Sequence, residues 1–550
     1  MISPIKFLTV FALLQTATSA IHLPAAGQKG GALNIQDELN AAENVNFKSA
    51  SVPYNGVIAP AGLPTKRGFY KQTVDHFGNQ QGVNGTWFNQ EYYIQDSYYK
   101  PGGPVLFWIA GESPNDDGWI KGGKGSIISY LMPRYNALVV TLEHRFYGAG
   151  DDASNPGRSV PTADLSPESL KLLSANQAIE DNAQFITDFP LLFPEYKLDH
   201  NTKWITIGGS YPGSLSAWMR QQHPELVYAA HASSAPVKLE LDFWRYSYAI
   251  DQGIKFFGDV RQNNGAKCAD GWTRAVHLFD NAIAKVEKDP VALKAFKSQF
   301  WLSQVENIGD FASAVTTAQA GSVQYGPNSG KVNGRPWVDW VCGGKDFPAF
   351  IDPKSSDAEL LKQFTEFWLV IIQNYGITSD SDPQVGEWFN TAPITDWSIE
   401  NASGALWYYQ SCNEFGYGQT AQPLKGESWS AYSQYNNVKY FEWGCKNTGL
   451  DPNPSAQQIE ETDSYYGGLW NYQSNILPGQ YDPWHWLSNY KSVPNPNTQS
   501  TVLYANATHC NDLWGPLNVT VPNPRIPVSQ AYVDNLFDKI FAVYDKWIHG

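Results

Sequence analysis

One short segment of the sequence has the residue types of a serine nucleophile. It reads WITIGGSYPGSL from Trp204 to Leu215, an apolar run that ends in two glycines and Ser210. A serine between a buried strand and a helix lies at the carboxyl edge of an α/β sheet, where such folds bind ligands. The glycines permit the tight turn that exposes the hydroxyl, and the backbone N–H of Tyr211 is oriented to hold an oxyanion. The segment therefore predicts catalysis by Ser210, with Tyr211 as an oxyanion donor.

The segment departs from the G-x-S-x-G pattern at one position. Pro212 stands where the second glycine belongs. Proline is tolerated in the first turn of a helix because its missing N–H would be unpaired there, so the turn survives the change. The alternative interpretation is a glycine-rich loop at a strand end with no catalytic role.

A serine hydroxyl is a weak nucleophile unless an imidazole takes its proton and a carboxylate fixes the tautomer of that imidazole. In this fold the chain order is serine, acid, histidine. His277, His485 and His509 follow the serine at sufficient distance. His277 lies in TRAVHLFDNAIAKV, a predicted amphipathic helix, and is interpreted as structural.

His509 follows the apolar segment STVLYA in a loop before the last helix, which is where the base of such a fold belongs. The acid is expected at the end of the preceding strand, and Asp482 in LPGQYDPW has that place. His485 is the alternative base, but it would share the loop of Asp482.

The elements that must position these residues are predicted from apolar runs rich in Val and Ile, which are typical of strands buried on both faces of a parallel sheet. Between two of the runs, Ser166 and Pro167 begin a helical pattern, and strand, helix, strand is the crossover unit of an α/β sheet. The runs are PVLFWIAG (Pro104 to Gly111), ALVVTLEH (Ala137 to His144), KWITIGG (Lys203 to Gly209) and AAHASSAPV (Ala229 to Val237).

The rest of the chain divides into a helical part and a returning sheet. Residues 240–455 are rich in Trp and Tyr and predict a helical insertion or cap between two parts of an α/β domain, 66–239 and 456–550. Strands resume near SNILPGQYDPW and STVLYANATHC. The last helix has its apolar stripe at Val533, Phe537, Ile540, Tyr544 and Trp547.

The N-terminus has the layout of a cleavable secretory signal. Residues 1–20 contain one Lys, a short apolar stretch and small residues before Ala20. The apolar stretch is too short to span a bilayer, so we expect a secreted or lumenal protein without membrane insertion. Residues 21–65 are interpreted as a propeptide or surface arm. The alternative for 1–20 is a buried N-terminal helix.

Composition excludes several functional classes. The net charge of −15 and the absence of a basic run argue against a nucleic-acid partner. The five cysteines permit at most two disulfides and lack paired Cys-x-x-Cys spacing, so neither a zinc site nor another cofactor is predicted. N-glycosylation sequons, which suit an extracellular protein, begin at Asn84, Asn401, Asn506 and Asn518.

Several separated segments together resemble the Pro-Xaa carboxypeptidase and dipeptidyl peptidase II family of serine peptidases. The likeness runs from about residue 68 to the C-terminus, and the segments occur in the family's order. They are EHRFYG (Glu143 to Gly148), ANQAIEDNAQF, GGSYPGSLSAW, ASSAPV, QSCNEFGYGQT (Gln410 to Thr420), YDPW and HCNDL (His509 to Leu513). Departures are Pro212 and AGESP (Ala110 to Pro114), where relatives carry a more glycine-rich turn.

The resemblance implies an α/β-hydrolase fold with a large helical insertion across the active site, and cleavage after proline through an acyl-enzyme at acidic pH. Carried over, Ser210 is the nucleophile, His509 the general base and acid, and Asp482 the residue that orients it. The oxyanion is then held by the Tyr211 amide and an amide of the turn from Gly111 to Glu112.

Two residues are candidates for substrate binding. Trp484 is the expected wall of a proline pocket, since a flat aromatic side chain fits the compact ring of proline, and its alternative is core packing. Glu112 is either a partner for a substrate amine or a solvated or structural carboxylate.

Other readings of the fold stay open at this point. An esterase or lipase has the same triad without a preference for proline, and a catalytically dead hydrolase fold can serve in binding. Trimming from either end and internal cleavage are equally compatible with the sequence, and so is a lysosomal or vacuolar compartment. The partners expected are peptides or proteins that contain proline; the oligomeric state is left open.

Overall fold

The structure is a computed structural model. It describes residues 57–550 except 79, 81–82, 84, 124, 151–153, 156, 263–264, 327–330, 344–348, 403–404, 425–429, 452–454, 469–474, 478–480, 489–499, 502–506 and 515–529. The predicted signal peptide, residues 21–56 of the predicted arm, and the sequons at Asn84, Asn506 and Asn518 lie outside the described residues. Asn401 ends a short 3₁₀ turn, Ile399–Asn401.

A mixed sheet of eight strands forms the centre of the described structure. In space the strands follow the order β1-β2-β4-β3-β5-β6-β7-β8. β2 pairs antiparallel with β1 and β4, and all other pairs are parallel. The strands are β1 (Lys66–Thr73), β2 (Trp87–Gln95), β3 (Val105–Ile109), β4 (Leu138–Leu142), β5 (Trp204–Gly209), β6 (Ala229–Ser233), β7 (Asn475–Leu477) and β8 (Ser500–Thr501). This confirms the predicted α/β-hydrolase fold.

The central strands lie within the four apolar runs, and every residue of β3, β4 and β6 is buried. Both faces of these strands are covered by helices, which is why their sequences are apolar without alternation.

One of the predicted helices is divided in the structure. The pattern that begins at Ser166 forms two helices, because Ser166 caps a first short one and Ser174 caps a second. In chain order the helices are α1 (Ile128–Tyr135), α2 (Pro167–Leu170), α3 (Ala175–Leu192), α4 (Tyr211–Gln222), α5 (Arg245–Gln262), α6 (Gly265–Val286), α7 (Pro290–Gln299), α8 (Ile308–Thr317), α9 (Ala320–Gln324), α10 (Trp337–Cys342), α11 (Asp357–Asn374), α12 (Pro383–Phe389), α13 (Ala405–Gln410), α14 (Val438–Thr448), α15 (Ala456–Tyr466) and α16 (Gln530–His549).

Helices cover the sheet on both faces. On one face, α16 packs its buried side chains against β3, β4 and β5, in a core that includes Phe537, Tyr544, Leu106, Val139 and Ile205. The larger core includes the opposite face, where α3 and α4 pack. Burial of this much apolar area is the main stabilising contribution to the fold.

The chain between β6 and β7 is mostly helical and carries both disulfides of the described residues. Cys268–Cys342 joins α6 to α10, and Cys412–Cys445 joins the π-helical turn Ser411–Phe415 to α14. Cys510 is a free thiol. Two disulfides and one remaining cysteine agree with the number that the sequence allows. No helix among the described residues is long and apolar enough to cross a membrane.

Candidate active site

Ser210 occupies a sharp turn between β5 and α4. Its backbone has φ 62° and ψ −131°, a conformation that costs a non-glycine residue about 1–3 kcal/mol. The Ser210 N–H donates to the Ser233 carbonyl (2.9 Å), and its own carbonyl accepts from the Ser214 N–H (3.1 Å). Gly208 is needed because a Cβ there would lie 2.2 Å from the Pro212 oxygen. The turn is therefore the strained strand-to-helix elbow that presents a serine hydroxyl.

Pro212 connects this elbow to the turn after β3. A Cβ on Gly111 would lie 2.2 Å from Cγ of Pro212, so the proline ring packs directly against the glycine. Because Gly111 has no Cβ, there is room for the ring of Pro212. The departure from the G-x-S-x-G pattern thus keeps the Gly111–Glu112 turn in contact with the first turn of α4, next to Tyr211.

His509 and Asp482 form a buried pair at the same edge of the sheet. His509 Nδ1 lies 2.9 Å from Oδ1 of Asp482, and the two side chains are 3% and 0% exposed. A carboxylate only accepts, so Nδ1 carries the hydrogen and Nε2 is the basic nitrogen. Nε2 has no hydrogen-bond partner among the described residues.

Three contacts connect the base loop to the serine turn, to the end of β6 and to the acid loop. A Cβ on Gly209, the residue before Ser210, would lie 2.9 Å from Sγ of Cys510, the residue after His509. The Cys510 N–H donates to Ser234 Oγ (2.9 Å). The Tyr481 N–H, next to Asp482, donates to the Ala507 carbonyl (2.9 Å).

The alternative bases have other partners. His485 Nδ1 lies 2.6 Å from the backbone carbonyl of Asp482 rather than from its carboxylate. His277 is in α6, where its Nε2 accepts from the Asn281 side chain (3.0 Å). Among the three candidate bases, His509 is paired with the carboxylate of Asp482.

The electrostatic environment of His509 is dominated by two opposing effects. Burial lowers the pKa of His509, the Asp482 carboxylate and Cys510 together raise it, and the net pKa is well above the ordinary value. Glu112, whose carboxyl interacts electrostatically with His509, is partly exposed. Burial raises the pKa of its carboxyl, and the charge of His509 acts in the opposite direction.

A buried network that the sequence did not predict anchors the base loop to the sheet. Asp512, three residues after His509, accepts from His231 Nε2 (2.8 Å) and from Ser233 Oγ (2.5 Å). The Ser233 carbonyl also accepts the N–H of Ser210. Ser233 therefore bonds to both the nucleophile turn and the base loop, and the HCNDL segment gains a structural explanation.

A second unpredicted network holds the side chain of Tyr211. His144 Nδ1 donates to the Arg145 carbonyl (2.8 Å), so its Nε2 accepts from the Tyr211 hydroxyl (2.9 Å). Gln410 Nε2 donates to the same hydroxyl (3.2 Å). The EHRFYG and QSCNEFGYGQT segments thus fix the residue whose amide is the expected oxyanion donor.

This network predicts a pH effect on stability. Burial lowers the pKa of His144 to about 4 from 6.5, so the folded state resists a proton that the unfolded state binds. Stability should fall as the pH drops from 6.5 to 4, by up to about 3 kcal/mol. The melting temperature of a His144→Gln variant should decrease less between pH 7 and pH 4.5 than that of the wild type. The exposed His200→Gln is the control and should keep the wild-type pH dependence; an unchanged difference in His144→Gln would contradict the prediction.

Glu143 stabilises the chain that follows the Gly111–Glu112 turn. Its Oε1 accepts the Asn115 N–H (3.0 Å) and Arg158 Nη2 (2.7 Å), and all three residues are buried. The ion pair with Arg158 and the hydrogen bond from the Asn115 amide hold the chain three residues after Glu112 against the end of β4.

No group of three or more His, Cys, Asp or Glu side chains in the described part of the chain has the arrangement of a metal site.

The comparisons with known proteins fit this geometry. The family model for serine carboxypeptidase S28 matches residues 72–523. The chain belongs to this family. It is a serine-type peptidase, and the match spans the strand ends that carry Ser210, Asp482 and His509.

Several named relatives align with most of this chain. The Caenorhabditis elegans protein K12H4.7, a serine protease by name, is 31% identical over 88% of both chains. The human thymus-specific serine protease is 27% identical over 82% of both. A protein of Arthroderma benhamiae, an extracellular serine carboxypeptidase by name, is 26% identical over 83% of this chain and 65% of its own.

Proposed function

We propose that this S28 peptidase hydrolyses the peptide bond on the C-terminal side of proline, with Ser210, His509 and Asp482 as its triad. The observation that carries the proposal is the buried His509–Asp482 pair, whose Nε2 is unpartnered beside the strained elbow of Ser210. A strained serine, a basic nitrogen and a buried carboxylate at one sheet edge are the three groups that a serine nucleophile requires.

The reaction follows from the assigned hydrogen positions. His509 Nε2 takes the proton of Ser210 Oγ as the oxygen attacks the carbonyl carbon, and Asp482 stabilises the imidazolium that forms. The amides of Tyr211 and of the Gly111–Glu112 turn hold the oxyanion, each worth roughly 10²- to 10³-fold in kcat. His509 then protonates the leaving amine, and water hydrolyses the acyl-enzyme by the same steps in reverse order.

Selection of proline is assigned to an aromatic cluster around Trp484. Its ring lies 5.5 Å from Phe243, 5.5 Å from Tyr246 and 5.2 Å from Tyr417, measured between centroids. Trp484 is 5% exposed and packs in the hydrophobic core with these rings, so only a small part of its surface is available as a rigid pocket wall, two residues from Asp482. A flat ring held in this way favours contact with the compact pyrrolidine over long or branched side chains.

Within the proposed acidic working range, activity is expected to change with pH in a definite direction. Only neutral His509 acts as a base, and its pKa is raised. Activity at acidic pH should therefore increase as the pH rises and His509 loses its proton.

Compartment and organisation complete the proposal. Secretion with removal of residues 1–20, or delivery to a vacuole or lysosome, suits a chain with two disulfides. Residues 240–455 act as a helical cap on the α/β domain, and glycosylation occurs at Asn401 and at the other three sequons.

The terminus that the enzyme recognises depends on Glu112. The residue is partly exposed and its carboxyl interacts electrostatically with His509, so it can bind the free amine of a substrate whose second residue is proline. This favours release of an N-terminal dipeptide over removal of a C-terminal residue.

The test uses one proline-containing peptide in three forms: free, N-acetylated and C-amidated. Incubation at mildly acidic pH should give cleavage after proline by the wild type and none by Ser210→Ala, with products identified by mass spectrometry. Inhibition by the acetyl cap alone would support the role of Glu112. Hydrolysis of acyl esters without peptide cleavage would replace the proposal by an esterase, and no hydrolysis of either would replace it by a binding function.

A further inference from the structure

The helical segment between β6 and β7 reaches the catalytic base through two consecutive residues. The backbone carbonyl of Gln324, the last residue of α9, accepts the N–H of His509 (2.8 Å). The ring of the next residue, Tyr325, meets the imidazole of His509 edge to face, with centroids 5.6 Å apart and planes at 79°. A residue remote in sequence thus contacts the base directly.

The side chain of Gln324 fixes this contact relative to the pocket proposed for proline. Its Oε1 accepts from the Tyr246 hydroxyl (2.5 Å) and from Trp484 Nε1 (3.2 Å). Both donors belong to the aromatic cluster of the proposed pocket. Gln324 therefore sets the spacing between that cluster and Tyr325.

Tyr325 differs from its neighbours in exposure. His509 and Gln324 are 3% and 7% exposed, whereas Tyr325 is 48% exposed. Its amide donates to the Gly321 carbonyl (3.0 Å), so the backbone is held by α9 while the residue stays about half exposed. An aromatic ring held in this way offers a large, rigid contact surface at low entropic cost.

The chemistry of His509 indicates which part of a substrate passes this ring. The imidazole hands its proton to the leaving amine, so the residue after the scissile bond lies along His509 during acylation. Trp484, on the acid loop, is assigned to the proline before that bond. Tyr325, which contacts the imidazole from α9, is then left to contact the residue after the bond.

We propose that Tyr325 is a specificity-determining residue that binds the side chain following the scissile bond and favours aromatic or large apolar residues there. The inference rests on the proposed function. It adds a preference for the leaving residue to the preference for proline, and it assigns that preference to the helical segment.

The experiment compares three substrates with the same acyl part ending in proline. Two are peptides in which phenylalanine or glycine follows the proline, and the third is the methyl ester, whose leaving group has no side chain. Tyr325→Ala should lower kcat/KM for the phenylalanine peptide by about tenfold and leave the other two within about twofold. Tyr325→Phe should restore the wild-type value, because the ring and not the hydroxyl makes the contact.

Controls separate specificity from a damaged site. Titration with a fluorophosphonate that labels the active serine gives the concentration of competent enzyme for each variant. Tyr465→Ala removes another exposed tyrosine, on α15, and should change none of the three rates.

Two results would overturn the inference. Equal losses on all three substrates would show that Tyr325 only positions His509, and a loss that follows the residue before proline would place the ring on the acyl side. If wild type cleaves neither peptide after proline, the proposed function fails first, and that failure is visible without any Tyr325 variant.

Discussion

Ser210→Ala is expected to lower kcat for peptide hydrolysis by about 10⁶-fold, the loss seen when the nucleophile of a serine peptidase is removed. The remaining rate comes from binding and the oxyanion amides, which the substitution leaves in place. The fold should be unaffected, because the elbow is held by backbone hydrogen bonds to Ser233 and Ser214 rather than by the Ser210 hydroxyl. Steady-state kinetics and fluorophosphonate labelling measure the effect.

The matched control is Ser214→Ala, one turn further along α4. Ser214 Oγ is buried and has no hydrogen-bond partner in the described structure, so its loss should cost little stability and little activity. Ser210→Ala activity within tenfold of the wild type, with labelling retained, would mean that another residue is the nucleophile.

Asp482→Asn should lower kcat on the order of 10³- to 10⁴-fold. Oδ1 of Asp482 accepts both His509 Nδ1–H (2.9 Å) and the Trp484 N–H (3.0 Å), and an asparagine oxygen can keep both bonds. What the variant loses is the negative charge that stabilises the imidazolium in the transition state. The reduction therefore appears in kcat, while KM stays close to that of the wild type.

The same variant should also move the acidic limb of the pH profile. In the wild type the pKa of His509 is raised by the Asp482 carboxylate and by Cys510, against the effect of burial. Without the Asp482 charge one of these two raising effects is lost while burial remains, so the pKa falls and the limb in kcat/KM shifts to lower pH. A lower plateau with the limb unmoved would show that the titrating base is not His509. Asp463→Asn, a substitution of a carboxylate in α15, is the control and should leave both plateau and limb unchanged.

The sequence was informative about strands and candidate site residues where a pattern along the chain had a single physical cause. Continuous apolar runs located β3, β4, β5 and β6, because strands covered on both faces carry no polar alternation. The order of serine, acid and histidine singled out Ser210, Asp482 and His509, and the structure places the latter two within hydrogen-bonding distance.

Other features had no local signal. The antiparallel pair β1 and β2 was missed because the strands are rich in polar residues and contain no apolar run. The single helix predicted from Ser166 ignored a second cap at Ser174. Gln324, Asp512 and His144 act through partners far away in sequence, so spacing along the chain cannot reveal them.

The position of α16 has a consequence for biosynthesis. This helix, Gln530–His549, covers a face of the sheet whose strands β3 to β5 end at Gly209. At ~5–20 residues per second, a ribosome needs tens of seconds to make the intervening chain, during which that apolar face has no cover from α16. A nascent chain of this protein is thus exposed to aggregation until its last twenty or so residues emerge, and a truncation that removes them should yield insoluble protein rather than a smaller enzyme.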